Sequence, residues 1–388
     1  MEDSIETSYE KLEAWCRDHE FEGHDPFDGL NSRLFQSTPL RHSRLARLAW
    51  TQLLKRSPIN LRHLARVPVG QNAKGTALFA LAALASFRRL PTNKAEVEAR
   101  HQLSMLLAAR LVGFSGAAWG YNFDWQGRAF YAPCGTPMIV PTAFAVRALV
   151  EGAVALGDET YLTAARTACD FILRDLNRSD ESDDEVCWSY SPLDHTRVFN
   201  ASLLAAETLA IVSSLTNERE LLDWAVRGAR YVVRRQRNDG SWAYGEAGFQ
   251  SWADNFHTAF ILTSLSRISR ISNEARDEFA EARTRGYDFW RKNFFLADGW
   301  PKYYHDRPFP VDAHSVGAAI VALLEMQDVD KDASAFAGTI ARWSIRNLQD
   351  SRGYFYYQLR RYYRLRTPYM RWSEAWMMYA LARVLEQG

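Results

Sequence analysis

Two short stretches of the sequence carry carboxylate and imidazole side chains at similar spacing. Asp254 precedes His257 by three residues, and Asp312 precedes His314 by two. Carboxylates and imidazoles are the side chains that most often move protons in enzymes. The pattern predicts a proton-transfer site in which Asp254 and Asp312 are the acid/base carboxylates and His257 and His314 are alternative proton carriers.

The loops around these stretches are rich in aromatic, acidic, amide and guanidinium side chains, and the chain contains 13 Trp and 17 Tyr in 388 residues. Ligand sites combine such aromatic surfaces with a few polar groups, which suits the C–H faces and hydroxyls of a sugar. We therefore expect an oligo- or polysaccharide ligand. The candidate substrate-binding residues are Asp124 and Asp194 for hydroxyls, Arg197 and Arg371 for an anionic group, Trp125, Trp242, Tyr304 and Tyr356 for stacking, and also Asn200, Asn255, Tyr303 and Glu374.

Two kinds of sugar chemistry fit these residue types. A pair of carboxylates about 5–5.5 Å apart would indicate a retaining glycosidase, and a separation of about 6.5–9.5 Å an inverting one. If His, Tyr, Asn and Arg side chains converge while the carboxylates are salt-bridged, a lyase or a uronate epimerase is favoured. The sequence gives the residue types and leaves the distances open.

Each candidate also has a structural interpretation. Asp194, Asp254 and Asp312 directly precede helical patterns, where Asp is a preferred N-cap. A histidine one turn inside a helix is often a core residue. Trp242 ends the segment Gln236–Trp242, which matches the Q-x-x-x-G-x-W repeat that stabilises toroids of the squalene/hopene cyclase type, and the segment 349–355 is a degenerate second copy. The basic run 360–366 is either a solvated face or an anion contact, and the acidic run 180–185 is typical of an exposed loop.

Internal periodicity predicts the elements that must position these residues. Ala-rich apolar helices begin near Thr142, Asn200, Asn255, Asp312 and Trp372, at intervals of 55 to 60 residues, and an earlier one begins near Asn72. Such fixed periods are typical of repeat architectures. Amphipathic helices with charged outer faces lie between them. Their predicted ranges are 43–56, 94–111, 159–176, 218–236, 274–293 and 332–348.

The alternation predicts an all-α fold of six helical hairpins. Closed on themselves, the hairpins form an (α/α)6 toroid over residues 43–388, with the candidate residues in loops on one rim and short β-hairpins near 242–244 and 354–357. Residues 1–42 are predicted to form an N-terminal helix and a rim segment packed on the barrel. An open solenoid is the alternative.

Composition excludes several classes of function. The formal net charge is +1, from 47 Lys+Arg against 46 Asp+Glu, so no nucleic-acid partner is expected. The N-terminus has no basic start followed by an apolar segment, and no run of 18 apolar residues occurs, so neither a secretory signal nor a transmembrane helix is expected. The four cysteines have no metal-ligand spacing. These features predict a cytoplasmic protein without metal or cofactor, and they leave the oligomeric state open.

Five segments carry a resemblance to a known group of proteins. They are GHDPFDGLN at 23–31, NAKG at 72–75, WGYNFDWQ at 119–126, DNFHT at 254–258 and YMRW at 369–372. Together they resemble an uncharacterised bacterial and archaeal family that is often encoded among polysaccharide-biosynthesis genes. Some members carry a δ-aminolevulinate dehydratase label, which does not suit a chain without a (β/α)8 pattern. The resemblance implies an α-toroid related to six-hairpin glycosidases and to prenyltransferase and squalene-cyclase repeat proteins. It supplies no reaction, and the roles of Asp25 and Asp28 stay open.

Three functions are consistent with these observations. The first is a carbohydrate-active enzyme in polysaccharide biosynthesis, acting on a cell-surface polysaccharide or its precursor as hydrolase, lyase or uronate epimerase. The second is a non-catalytic glycan-binding or assembly factor of the same pathway. The third is a terpenoid cyclase-like enzyme, which would need an apolar chamber with a strong acid inside it, and the polar rim argues against that chamber.

Overall fold

The computed structural model describes residues 4–179 and 182–388. Within these residues the chain is mainly helical, with small antiparallel sheets in the loops. The α-helices are α1 Ile5–Asp18, α2 Arg33–Gln36, α3 Arg44–Arg56, α4 Ala73–Arg89, α5 Asn93–Ala108, α6 Ile139–Leu156, α7 Glu159–Arg174, α8 Phe199–Thr216, α9 Arg219–Val233, α10 Asn255–Ile271, α11 Arg276–Asn293, α12 Ala313–Glu325, α13 Ala333–Leu348 and α14 Ala375–Glu386.

Six of these helices form a closed inner ring. Each of α4, α6, α8, α10 and α12 packs against the next inner helix, and α14 packs back against α4. These helices are apolar nearly all round because neighbours and outer helices cover them; residues 73–85 of α4, for example, are all buried. The closed ring confirms the predicted (α/α)6 toroid and excludes the open solenoid.

The outer ring differs from the prediction at one position. Helices α5, α7, α9, α11 and α13 lie where amphipathic helices were expected, but the predicted sixth outer helix over 43–56 does not. That helix is α3, which packs on the 3-10 turn Asp28–Asn31 and on the rim strand Trp125–Gln126. The sixth outer position is filled by α1, which packs against α13 and α14. The predicted chain division at residue 42 stays a prediction.

The repeated glutamine motif explains why α1 belongs to the outer ring. The amide of Gln236 donates to the carbonyl oxygens of Gly240 and of Ala282, in the following outer helix α11. The amide of Gln349 donates in the same way to Gly353 and to Ser8, in α1. The second motif copy therefore bonds to α1 as the first copy bonds to α11, so α1 occupies the place of the outer helix that follows α13.

A substitution at Gly353 would test how much the packing of α1 at the ring closure contributes to stability. Its φ is +109°, and a Cβ added there would collide with the carbonyl oxygen of Lys11 in α1. Gly113 has a similar φ of +90° and nothing within 4 Å, so it isolates the cost of the backbone conformation. We expect Gly113→Ala to lower the free energy of unfolding by about 1–2 kcal/mol, and Gly353→Ala by about 2 kcal/mol more, measured by urea denaturation. Equal losses in the two variants would show that α1 does not depend on this contact.

In the part of the chain that the structure describes, the rim carries three small antiparallel sheets, which confirms short β-hairpins in the rim loops. Strands β1 (Trp125–Gln126) and β2 (Tyr131–Ala132) form one pair, and β3 (Arg178–Ser179) and β4 (Cys187–Trp188) a second. The third sheet has the order β5 (Val311–Asp312), β6 (Gln358–Leu359), β7 (Arg364–Leu365). No strand forms over 242–244 or 354–357, the two predicted positions, where Trp242 and residues 354–357 are buried.

Two inner helices, α6 and α8, are long and apolar enough to cross a membrane by length and composition. In the toroid 72% and 78% of these segments are buried, as expected for the inner ring of a folded protein. The predicted exposed acidic loop at 180–185 begins with two residues outside the described part of the chain. The rest of that run includes Asp184 and Glu185, which form ion pairs with Arg234.

Candidate active site

The rim loops surround a cavity of about 710 Å³ above the N-terminal ends of the inner helices. Every inner helix reaches it: the lining includes side chains from the first turns of α4, α6, α8, α10 and α12, and from the π-helical turn Met370–Glu374 that leads into α14. The closed ring thus brings residues nearly 300 positions apart to one mouth. The lining residues include Lys74, Asn200, His257, Tyr303, Tyr304, His314, Arg371 and Trp372.

His257 is held in the cavity wall by a carboxylate. Asp254 is the N-cap of α10 and accepts the backbone N–H of His257 at 2.9 Å and its Nδ1 at 2.7 Å. A carboxylate only accepts, so Nδ1 carries a proton, and in a neutral imidazole Nε2 can then act as a base. The prediction that Asp254 caps a helix is confirmed, and the same carboxylate orients His257. Asp254 itself is buried and does not line the cavity.

A second proton-carrying pair lies elsewhere in the cavity lining. The ring of His314 stacks on Trp372 with ring centroids 4.2 Å apart, and its Nε2 is 3.4 Å from Nζ of Lys74. Burial, with Lys74 and Arg371 nearby, lowers the pKa of His314 well below its usual value. Burial and the Arg371 charge likewise lower the pKa of Lys74 well below its usual value. Both groups therefore favour their uncharged forms.

Lys74 is a functional candidate that sequence reasoning missed. Its Nζ lies 4.6 Å from the ring centroid of Phe144, 5.0 Å from that of Phe260 and 5.3 Å from that of Trp376, and the residue is 2% exposed. The available signal was its place just after the Asn72 N-cap of an Ala-rich helix, because cations are disfavoured at helix N-termini. A second missed lysine, Lys55 of α3, lies 3.9 Å from the Phe27 ring, and burial lowers its pKa to about 8.

Arg371 lines the cavity, but its charge is already paired. Its Nε and Nη2 donate to the two carboxylate oxygens of Asp25 at 2.6 and 2.8 Å, and all of these groups are buried. Next to this pair, Asp28 accepts from Nε of Arg62 at 2.7 Å, and Arg62 donates to the hydroxyl of Tyr369. Asp25 and Asp28, whose roles were left open, thus bind the segment 23–31 to the segment 369–372.

The second predicted acid/base carboxylate, Asp312, is buried and is not part of the cavity lining. It caps α12 by accepting the N–H groups of His314 and Ser315, and it accepts side-chain hydrogen bonds from Gln358 and Trp372. Burial raises the pKa of this carboxyl. The predicted capping role of Asp312 is confirmed, and its acid/base role stays a prediction.

The remaining predicted carboxylates also have internal partners. Asp194 accepts from Ser191 and Thr196 in its own loop and does not cap α8, whose N-cap is Val198. Asp124 accepts from Tyr131 and Cys134. Glu374 accepts the backbone N–H of Phe355, and burial raises its pKa well above the usual value. Among the described carboxylates, the cavity lining contains only Asp306, which is ion-paired with Arg307 at 2.9 Å.

The other predicted substrate-binding residues divide into two groups. Trp125, Asn200, Tyr303 and Tyr304 line the cavity together with His257, and Oδ1 of Asn200 has no partner among the described residues. The rest lie outside it: Arg197 pairs with Glu246, Trp242 donates to Val232, Asn255 bonds Lys302 and Trp290, and Tyr356 donates to Asp350. Trp242 packs against Gly286 of α11, as its repeat motif indicates.

Within residues 4–179 and 182–388, no group of three or more His, Cys, Asp or Glu side chains is arranged to hold a metal ion. The polar groups that line the cavity include imidazoles, amines, guanidinium groups and tyrosine hydroxyls. Such groups transfer protons and bind polar substrates.

Comparison with solved structures places the fold. Cellobiose 2-epimerase from Bacillus thermoamylovorans matches with a TM-score of 0.65 and 13% identity, over 83% of this chain and 90% of that one. An unsaturated glucuronyl hydrolase specific for heparin matches with 0.63 and 13%, over 99% and 96%. A D-mannose isomerase matches with 0.61 and 14%, over 82% and 87%. No protein-family model and no curated protein matches the chain. At these identities the likeness supports the fold alone, an (α/α)6 toroid.

Proposed function

We propose that the protein is a sugar epimerase or isomerase that transfers a proton at a carbon next to a carbonyl or carboxylate group. One observation carries the proposal: the imidazoles of His257 and His314 line one cavity, and Asp306, the carboxylate among the described lining residues, is ion-paired. A two-carboxylate glycosidase mechanism needs two such groups beside the glycosidic bond. The positions of Asp254 and Asp312 do not provide them.

In the proposed reaction, Nε2 of His257 removes the proton from the sugar carbon. The carboxylate of Asp254 stabilises the imidazolium that forms, because it accepts Nδ1–H at 2.7 Å. The electron pair of the broken C–H bond moves into the adjacent carbonyl and gives an enediolate. His257, now an imidazolium, then returns its proton to carbon; alternatively the His314–Lys74 pair takes up one proton from solvent and gives it to carbon, while His257 releases its proton to solvent. Return to the opposite face of the same carbon gives the epimer, and return to the neighbouring carbon gives the isomer.

The aromatic lining supports a saccharide as the substrate. The rings of Trp125, Tyr303 and Tyr304 line the cavity, and Asn200, whose buried amide oxygen has no partner among the described residues, belongs to the same lining. Two of the compared folds belong to proteins named as an epimerase and an isomerase. The third is named as a hydrolase, so the fold alone does not decide the reaction, and the site residues carry the proposal. The polysaccharide-biosynthesis setting and the cytoplasmic location stay predictions.

Solvent exchange tests the proposal. The protein is incubated in D2O with neutral reducing disaccharides and with uronate oligosaccharides, and the products are read by NMR and mass spectrometry. We expect one deuteron at the carbon that is epimerised or that receives the proton, with no chain cleavage. Cleavage with addition of water and no C–D bond would overturn the proposal in favour of a hydrolase. Binding without reaction, unchanged in His257→Ala, would support the glycan-binding factor instead.

A further inference from the structure

A second groove continues from the active-site cavity. It has a volume of about 640 Å³ and shares four lining residues with the cavity, Lys55, Tyr303, Tyr304 and Arg307. Its far wall is the β6–β7 hairpin with the residues between the strands, 360–363. Because β6 pairs with β5, which leads directly into α12 and His314, backbone hydrogen bonds connect the groove wall to the segment that carries a candidate catalytic residue.

The groove is strongly cationic. Five of its lining residues are basic, and no Asp or Glu among the described residues lines it; the basic residues are Lys55, Arg56, Arg307, Arg360 and Arg361. Arg307 is partly neutralised by Asp306, whereas Nε of Arg360 is buried without a hydrogen-bond partner. In a protein of net charge +1, this clustering produces a local positive potential that attracts an anionic ligand.

Aromatic rings accompany the basic groups. Tyr303 and Tyr304 stand where groove and cavity meet, and Tyr362 and Tyr363 stand at the outer end, 83% and 48% exposed. Exposed rings beside guanidinium groups offer flat apolar faces and bidentate anion contacts together. A neutral sugar would be bound by aromatic rings alone, and a simple anion by basic groups alone. The combination of rings and basic groups fits a ligand that has both apolar faces and negative charges.

We propose that this groove binds an anionic oligosaccharide, so that the substrate is an acidic sugar chain with its reacting residue in the cavity and its neighbours in the groove. The inference rests on the proposed function and names its substrate class. A single-stranded nucleic acid would also fit aromatic and basic side chains. The groove opens onto a cavity with proton-carrying groups, and the balanced net charge gives no extended basic face, so a glycan is favoured.

Calorimetric titration with a hexamer of galacturonate tests the groove in the full-length protein. Arg56 and Arg361 are exposed, so an Arg56→Glu/Arg361→Glu double variant keeps the core intact. Lys331→Glu is the matched control, because Lys331 is exposed in the α12–α13 connection at the opposite end of the barrel. We expect the double variant to bind the hexamer about tenfold or more weakly, and the control to bind it like the wild type.

Three further ligands test which chemical class of ligand the groove binds. Cellohexaose, which is neutral, should bind weakly to all three proteins. Polyphosphate of matched charge and single-stranded dT10 should bind at least about tenfold more weakly than the galacturonate hexamer. Equal binding of either anion, or unchanged hexamer binding in the double variant, would overturn the proposal. Exchange at carbon with a disaccharide in wild-type protein is measured in parallel, so that loss of the proposed reaction is distinguished from failure of the groove.

Discussion

Replacing Asp254 with Asn is expected to slow solvent exchange at the sugar carbon by about 10²- to 10⁴-fold while α10 stays capped. The amide oxygen of Asn can still accept the backbone N–H of His257, because Asn is as good an N-cap as Asp. Its amide nitrogen would face Nδ1, however, and two donors cannot bond to each other. The imidazole would then carry its proton on Nε2, where a base is needed, so the rate falls without loss of the fold.

The same experiment includes His257→Ala and the double variant. His257→Ala removes the base outright and should reduce exchange by at least as much as Asp254→Asn. Since the two residues act as one unit, the double variant should be about as slow as His257→Ala alone. A product of the two single effects in the double variant would show that Asp254 and His257 act independently, contrary to the 2.7 Å hydrogen bond between them.

Asp158 provides the matched control. It is the N-cap of the outer helix α7, where it accepts from Thr160, and it lies at the end of the barrel away from the rim. Asp158→Asn should leave both the exchange rate and the urea midpoint close to those of the wild type. If Asp254→Asn exchanges as fast as Asp158→Asn, His257 does not depend on its carboxylate partner, and the proposed base is wrong.

The fold could be predicted from the sequence because the sequence patterns that indicate it are local and repeated. Ala-rich helices at a period of 55 to 60 residues predicted the inner ring, and Asp254 with His257 at i, i+3 predicted a cap and a histidine on one helical turn. The error at the sixth outer helix arose because α3 has the same amphipathic pattern as a true outer helix. The decisive signal was the second copy of the glutamine motif, whose amide bonds α1 across the ring closure.

The candidate site was harder to predict from the sequence because its contacts join segments that are far apart in the chain. Asp312 has nearly the same spacing to His314 as Asp254 has to His257. Yet the Asp312 carboxylate is occupied by Gln358 and Trp372, some 50 residues away in sequence. Lys74 likewise meets His314 only because α4 closes on α14 and α12 packs beside it. No spacing within one helix reports such neighbours, so a buried lysine in an Ala-rich helix was not recognised as part of a site.

Lys74→Met is expected to stabilise the protein and to abolish most of its activity. The lysine is 2% exposed, its amine is surrounded by the rings of Phe144, Phe260 and Trp376, and its polar contact is Nε2 of His314 at 3.4 Å. Burying a poorly satisfied polar group costs about 1–3 kcal/mol, and Met fills a similar volume without that cost. We therefore expect the free energy of unfolding at pH 7 to rise by about 1–3 kcal/mol.

The pH dependence separates this explanation from a simple packing effect. The folded state holds the pKa of Lys74 well below its usual value, so the unfolded chain binds the extra proton between that lowered pKa and about 10.4. In that window the stability of the wild type rises with pH. The advantage of Lys74→Met in urea denaturation should therefore shrink as pH rises from 7 toward 10, whereas a packing effect would not change.

Exchange at carbon completes the test of Lys74. Because Lys74 is the polar partner of His314, its loss should slow deuterium exchange by about 10²-fold or more in a protein that is more stable than the wild type. Lys331→Met, at the exposed connection between α12 and α13, should change neither property. A less stable Lys74→Met variant would mean that the folded protein holds Lys74 charged and well paired. A stable variant with full exchange would instead remove Lys74 from the reaction and leave the proton transfer to His257 and Asp254.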